Sequence, residues 1–147
     1  YGNADNNSRL TVMQCVISNN ASDGINLTGS KQAIFCANSL IVSNGGNGIL
    51  GYMGANLVLG NLVIENNGAV GVFCAADCTA QLEKMSIHGN AGDGINLSFD
   101  STLMLVGAPI DLVGNGGWGL YCHDAESSVN GTGLVIGSVS PTCTGFD

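Results

Sequence analysis

The sequence predicts an all-β fold in which one short coil of chain is stacked on itself repeatedly, and three observations carry that prediction. A frame of the form Ile-x-x-Asn-x-x-x-Gly-Ile recurs every 23 to 25 residues. Around it the apolar residues fall two apart, which is the period of strands. No segment sustains the 3.6-residue period of a helix. Self-similarity at a short fixed period is the signature of a solenoid, because one repeat cannot bury its apolar face alone.

The frame opens at Ile17, Ile41, Ile64, Ile87 and Leu112. Three residues later comes the structural ladder Asn20, Asn44, Asn67, Asn90 and Asn115, and four beyond that Gly24, Gly48, Gly71, Gly94 and Gly119. Each glycine is followed by Ile25, Ile49, Val72, Ile95 or Leu120. Seven, five and two residues ahead of the opening residue stand Leu10/Val12/Cys15, Ile34/Cys36/Ser39, Leu57/Leu59/Leu62, Ala80/Leu82/Met85 and Leu105/Gly107/Ile110. Three past the glycine stand Leu27, Gly51, Cys74, Leu97 and Cys122. Only Ser39, Gly51 and Gly107 break the apolar pattern in a chain that is 45% hydrophobic overall, so these columns face one shared interior. Three short strands per rung follow, paired in parallel with the next rung at about 4.8 Å. The asparagines then form a ladder at one turn, bonding to each other and to backbone groups freed there. The glycine suits either a positive φ or a close backbone passage.

A sixth rung starts and loses the frame. Val129, Leu134 and Ile136 hold the register, but Val139 falls at the Asn position, Cys143 at the Gly position and Phe146 at the last inward position. Terminal repeats are atypical because they cap the core. No amphipathic helix covers either end, and the polar residues 1–8 offer little apolar surface. The expectation is a single domain over residues 1–147 of about five to six rungs, either a mature subunit or a piece of a longer helix, since the chain opens on Tyr1.

The five blocks at residues 17–27, 41–51, 64–74, 87–97 and 112–122 resemble the right-handed parallel β-helix family. These are the pectate-lyase-like solenoids, which include tailspike depolymerases, mannuronan epimerases and many extracellular repeat proteins. The resemblance covers roughly residues 8–140. It implies a right-handed coil and, for the polysaccharide-acting members, acids with an Arg or Lys base facing outward on the strand after the repeat glycine. The matching positions are Asn26, Leu50, Phe73, Asn96 and Tyr121, which include neither acid nor base. Arg9, Lys31 and Lys84, the three basic residues, all lie elsewhere. The lyase machinery therefore transfers to no position here, and the same fold frame serves catalysts and scaffolds alike.

Other constellations remain. Asp77, Asp100 and Asp124 follow their glycines by six, six and five residues, with His123 beside them and Glu126 near. Carboxylates one strand spacing apart could share a proton for acid/base catalysis or hold Ca²⁺ through hard oxygen ligands. Turn chemistry is the commoner reason for Asp at such positions. Asp23 and Asp93 each open an Asp-Gly-Ile-Asn-Leu motif three rungs apart, too far to act on one bond. His88 falls in the turn before its Asn with no second ligand in register. Phe73, Trp118 and Tyr121 lie on or beside the outward strand, with Tyr52 in the adjoining turn, where rings could stack on a polysaccharide or anchor a partner.

Five Asn-x-Ser/Thr sequons occur, at Asn6, Asn20, Asn26, Asn96 and Asn130, of which Asn26 and Asn96 point outward and are the glycosylation candidates. Of six cysteines, Cys15, Cys36, Cys74 and Cys122 take inward positions, while Cys78 and Cys143 fall outside those columns. A Cys74–Cys78 link or a tie from Cys143 to the preceding rung is sterically conceivable, and six cysteines allow fifteen pairings. None has zinc-site spacing.

Eleven acids against three bases leave a net charge of −8, which disfavours nucleic acid, and no run of 18 apolar residues spans a membrane. The expected function is a structural or adhesive module, secreted or at the cell surface, that self-associates through its end rungs into a filament or surface structure. The other expectation is a carbohydrate-active or carbohydrate-binding domain of the lyase, epimerase or depolymerase kind. No cofactor is required by either, apart from the Ca²⁺ that the Asp row could take.

Overall fold

The computed structural model describes residues 8–29, 32–107, 109–133 and 135–145. Lys31, Leu134, Phe146, the Asn6 sequon and nearly all of the polar N-terminal stretch lie outside the described residues. Among those described, every regular element is a strand, and no helix is long and apolar enough to cross a membrane.

The first rung holds β1 (Arg9–Met13), β2 (Val16–Ser18) and β3 (Ile25–Thr28), and the second β4 (Ala33–Ala37), β5 (Leu40–Val42) and β6 (Ile49–Tyr52). In the third and fourth rungs the first two strands run together as β7 (Asn56–Glu65) and β9 (Thr79–His88), followed by β8 (Val72–Ala75) and β10 (Ile95–Ser98). The fifth rung holds β11 (Thr102–Leu105), β12 (Ile110–Asp111) and β13 (Leu120–Cys122), and the sixth β14 (Ser128–Gly131) and β15 (Val135–Ile136). Every pairing is parallel and joins equivalent strands of adjacent rungs. The chain is thus a right-handed parallel β-helix with its core running along the axis, where Ile34, Leu57, Leu82, Ile41, Ile64, Ile87, Ile49, Val72 and Ile95 are fully buried.

The corners explain how strands this short can turn without a hairpin. One left-handed residue bends the chain between first and second strands, at Gln14, Asn38, Asn61, Lys84 and Gly107. A second column bends it after the second strand, at Asn19, Ser43, Asn66, Gly89 and Gly114. The third corner uses left-handed pairs, Met53–Gly54, Ala76–Asp77 and Phe99–Asp100. Asparagine and glycine tolerate this conformation best, which accounts for their abundance at the first two corners. The repeat glycines are different: they lack a positive φ and serve the close passage. A Cβ on Gly48 would lie 2.5 Å from Ile64 Cγ2 and 2.6 Å from the Gly71 oxygen.

The asparagine ladder forms as expected and has a direction. The backbone N–H and the side-chain amide of Asn20 both donate to Asn44 Oδ1, at 3.2 and 2.8 Å. Asn44 donates in the same way to Asn67, Asn67 to Asn90, and Asn90 to Asn115. Each amide from Asn44 onward also donates to the carbonyl of the isoleucine that opens the frame one rung back, such as Asn67 to Ile41 at 3.3 Å. No buried side-chain nitrogen or oxygen among the described residues is left without a partner.

Four features of the register depart from the sequence reading. In the fifth rung Leu103 and Leu105 stack on Ala80 and Leu82, so Gly107 is an exposed corner residue and not an inward one. Two extra residues sit between Leu105 and Ile110, and counting back from Leu112 at constant spacing shifts the first strand by two. In the sixth rung Val135 stacks on Ile110, while Ile136 pairs with Asp111 and faces solvent. Val139 stacks on Leu120, not at the Asn position, because the chain omits the whole Asn-to-Gly turn and cuts from Gly137 straight across. Cys78 is fully buried in a further inward column with Ala55, Ser101 and Ser127, whose small side chains fill the third corner. Finally, Leu10 and Cys15 are exposed, because they belong to the first rung and no described residue packs beneath it.

Asn67→Ala removes the acceptor for both Asn44 donors and the donor to Ile41, leaving buried polar groups unpaired. At about 1–3 kcal/mol for each such group, partly relieved by relaxation, unfolding free energy should fall by roughly 2–4 kcal/mol. Asn130→Ala, exposed on the last rung, should change it by about 0.5 kcal/mol or less in urea titrations.

Candidate functional site

The five-stranded sheet β3-β6-β8-β10-β13 carries the outward positions that follow the repeat glycines. Its register places Asn26, Leu50, Phe73, Asn96 and Tyr121 in one outward column, as the repeat spacing predicts. Leu50 and Phe73 adjoin as a small half-buried apolar patch between polar neighbours. Phe73 and Tyr121 are two rungs apart with Asn96 between them, about 10 Å along the axis. Trp118 stands at the corner ahead of β13, exposed, and its backbone N–H donates to Asp93 Oδ1 at 2.8 Å. The three candidate rings therefore do not form one continuous platform.

A tighter aromatic group lies one residue further on. The His123 ring is 5.8 Å from Phe99 and stands edge-on to Tyr121 at 6.3 Å. Phe99, missed by the sequence reading, is 61% exposed and held in the left-handed conformation, which is unusual for a bulky residue. Asp124 holds it there: its Oδ2 accepts the Phe99 N–H, while Oδ1 accepts the N–H and hydroxyl of Ser127 at 2.9 and 2.8 Å. Partial burial pushes the Asp124 carboxyl up, but the Phe99, Ser127 and Asp100 donors outweigh it and hold the pKa below the ordinary carboxylate value. The Asp124 oxygens are thus engaged within their own corner. Asp77 and Asp100 are exposed as the second residues of left-handed pairs, one rung apart. Among the described residues no group of three or more His, Cys, Asp or Glu side chains comes together in a way that could hold a metal ion.

Asp23 and Asp93 have a structural role that their separation did not suggest. Asp23 Oδ1 accepts the Asn47 N–H at 2.8 Å and its side-chain amide at 3.0 Å, and Asn47 Oδ1 in turn accepts the Val70 N–H at 3.1 Å. Asp93 Oδ1 accepts the Trp118 N–H in the equivalent place. Two polar runs therefore lie beside the first ladder, through the residue preceding each glycine, and they are interrupted at Val70, which carries no side-chain acceptor. Three of those five residues are Asp or Asn, a signal the sequence offered. The outer oxygens accept the amides of Asn26 and Asn96 at 2.9 and 2.8 Å, and those carboxamides accept the hydroxyls of Thr28 and Ser98. The Asp-Gly-Ile-Asn-Leu motif is this relay. In both glycosylation candidates, the nitrogen that would carry a glycan already donates to an aspartate.

His88 ends β9 in register with Glu65, and their side chains approach to 3.4 Å, so the histidine does have an in-register partner. Glu65 and His88 each follow the frame residue directly, a pairing that counting from Ile to Asn overlooks. Two disulfides form: Cys74–Cys78 spans the third corner of the third rung, and Cys122–Cys143 ties the sixth rung to the fifth. Cys15 and Cys36 are free. Burial pushes the Cys36 thiol up to about 11, against a lowering bond from Ser39, which makes it a packing residue and a poor nucleophile. One concavity, of about 600 Å³, opens over Arg9, Gln32, Asn56 and Thr79, away from every candidate above.

The family described as right handed beta helix region matches residues 3–131, and this chain belongs to it. Comparison with curated proteins and with solved structures gave no significant match.

A carboxyl whose folded pKa is depressed contributes stability above its unfolded value, near pH 4, and that contribution is lost as pH falls through the folded value. Asp124→Asn should therefore narrow the difference in urea midpoint between pH 7 and pH 3, mainly by lowering the pH 7 value.

Proposed function

We propose that this chain is a structural, adhesive segment of an extracellular β-helical assembly and not a catalyst. The observation that carries this reading is the outward column Asn26, Leu50, Phe73, Asn96 and Tyr121 of the five-stranded sheet, which holds no acid and no base. The nearby carboxylates support it, because Asp23, Asp93 and Asp124 spend their oxygens on backbone and side-chain donors of their own and adjacent rungs. A reacting carboxylate needs a free oxygen within hydrogen-bond reach of its substrate. The two disulfides favour an oxidising compartment, secreted or at the cell surface. Association through an end rung is the mode of assembly, since an exposed strand edge is a template for further pairing.

A second reading, a glycan-binding module, is favoured by one observation. The exposed rings of Phe99 and His123 cluster with the half-buried Tyr121 beside the polar Asn96 relay, and rings of this kind stack on sugars.

Incubation with a panel of acidic and neutral polysaccharides should release no new reducing ends and no unsaturated uronates. Turnover that is lost in Asp100→Asn would replace the scaffold reading with a catalytic one. Saturable glycan binding that drops at least tenfold in Tyr121→Ala and Phe99→Ala, without turnover, would establish the second reading.

A further inference from the structure

The charges around the ring cluster at the third corner are of one sign, and that sign selects among sugars. Asp100 follows Phe99 directly and is exposed, and Asp77 stands in the same place one rung back. Asp124 follows His123, in the rung stacked on Phe99, and the exposed Glu126 lies two residues beyond it. The Phe99 and Ser127 donors hold the Asp124 carboxyl below the ordinary carboxylate value, so it is ionised at neutral pH. Among the described residues the basic side chains Arg9 and Lys84 belong to β1 and β9 of the ten-stranded sheet. Neither faces the five-stranded sheet or the corner that follows it.

A ring surface inside such a field treats acidic, neutral and basic sugars differently. A uronate brings its carboxylate against Asp100 and Asp124, and like charges in juxtaposition oppose binding. A neutral sugar gains only the packing of its C–H face on the rings. An amino sugar adds an ammonium group, which is attracted both to the face of an aromatic ring and to the carboxylates. The Asp124 oxygens are taken by their own corner, whereas the Asp100 carboxylate is exposed and outside those hydrogen bonds. Asp100 is therefore the group placed to meet an ammonium directly. Phe73 lies two rungs from Tyr121, about 10 Å along the axis, so an extended polymer following the sheet reaches a further ring.

We propose that the third corner of the fourth and fifth rungs binds a cationic amino-sugar polymer, a de-N-acetylated hexosamine chain. Phe99 and Tyr121 supply the surfaces on which pyranose rings pack. Asp100 pairs with an amino group, and Asp77, Asp124 and Glu126 supply the surrounding negative field. This assignment rests on the glycan-binding reading above and names its ligand class.

Calorimetric titration with glucosamine, N-acetylglucosamine and galacturonate oligomers of equal length separates the two. The glucosamine oligomer should bind about tenfold more tightly than its N-acetylated counterpart, and the galacturonate oligomer should not bind. Asp100→Asn should bring the first two affinities to within about threefold of each other. Phe99→Ala keeps every charge and should weaken the glucosamine oligomer about tenfold with an unchanged urea midpoint; Tyr121→Ala takes its place if that midpoint moves. Affinity that survives loss of the ring is non-specific attraction to a chain of net charge −8 and overturns the proposal. An oligolysine of equal charge that binds as tightly does the same, because the site would then be one for basic peptides. Equal affinity for the N-acetylated oligomer overturns the amino-sugar assignment and leaves the glycan reading standing, and no binding by any of the three sugars overturns both.

Discussion

A parallel coil of three short strands has no hairpins and no helices to fix its register, so the constraint on which everything else depends is the buried asparagine column at the second corner. Each carboxamide oxygen from Asn44 onward takes two donors from the rung before it, and each amide from Asn44 onward also reaches the carbonyl of the isoleucine that opens that rung's frame. Because the side chain and the backbone N–H of one residue converge on the same oxygen, sliding one rung by a single residue breaks both bonds and turns the apolar columns to solvent. The close passage at Gly48 and its equivalents follows from the same stacking, since the rungs approach too closely there for a Cβ. Apolar burial supplies the driving force, on the order of 1.5–3 kcal/mol for each fully buried Ile or Leu, and the ladder decides the register in which it is collected.

The parts of this fold that were legible in the sequence are those that repeat. The ladder Asn20 to Asn115, the outward column Asn26 to Tyr121 and the apolar columns of the second to fourth rungs all follow from one frame. The failures occur where spacing changes, because a frame counted from Leu112 carries no information about an insertion between Leu105 and Ile110. The sixth rung failed for the opposite reason, a deletion: Val139 reads as a ladder substitute only until the chain is seen to cut across and stack it on Leu120. Cys78 falls outside the columns counted from the frame because its own column, with Ala55, Ser101 and Ser127, is short in side chain and half serine, which hides its inward position. Phe99 was passed over because a bulky aromatic is a poor expectation at a left-handed corner.

The candidate site was legible to a different degree. The repeat spacing puts Phe73, Asn96 and Tyr121 in the column where the sheet register has them, but it carries no sign that Asp124 is consumed by the Phe99 and Ser127 donors. The same is true of the Asp-Gly-Ile-Asn-Leu motif. It reads as paired chemistry along the chain, and in space each copy is a local relay from aspartate through asparagine to a hydroxyl. Polar residues in a stacked solenoid are first claimed by neighbouring rungs, and only those with oxygens or rings left over are available for function. By that measure the exposed rings of Phe99 and His123, with the half-buried Tyr121 beside them, carry more potential for function than the carboxylates of Asp23, Asp93 and Asp124.

The most direct measurement is native-state hydrogen exchange, read residue by residue, on the full chain. If the asparagine column fixes the register, the backbone N–H and side-chain amide protons of Asn44, Asn67 and Asn90 should exchange only through global unfolding, with one shared free energy that moves with denaturant. Exchange of those protons by local opening, at a free energy well below that of unfolding, would contradict the account.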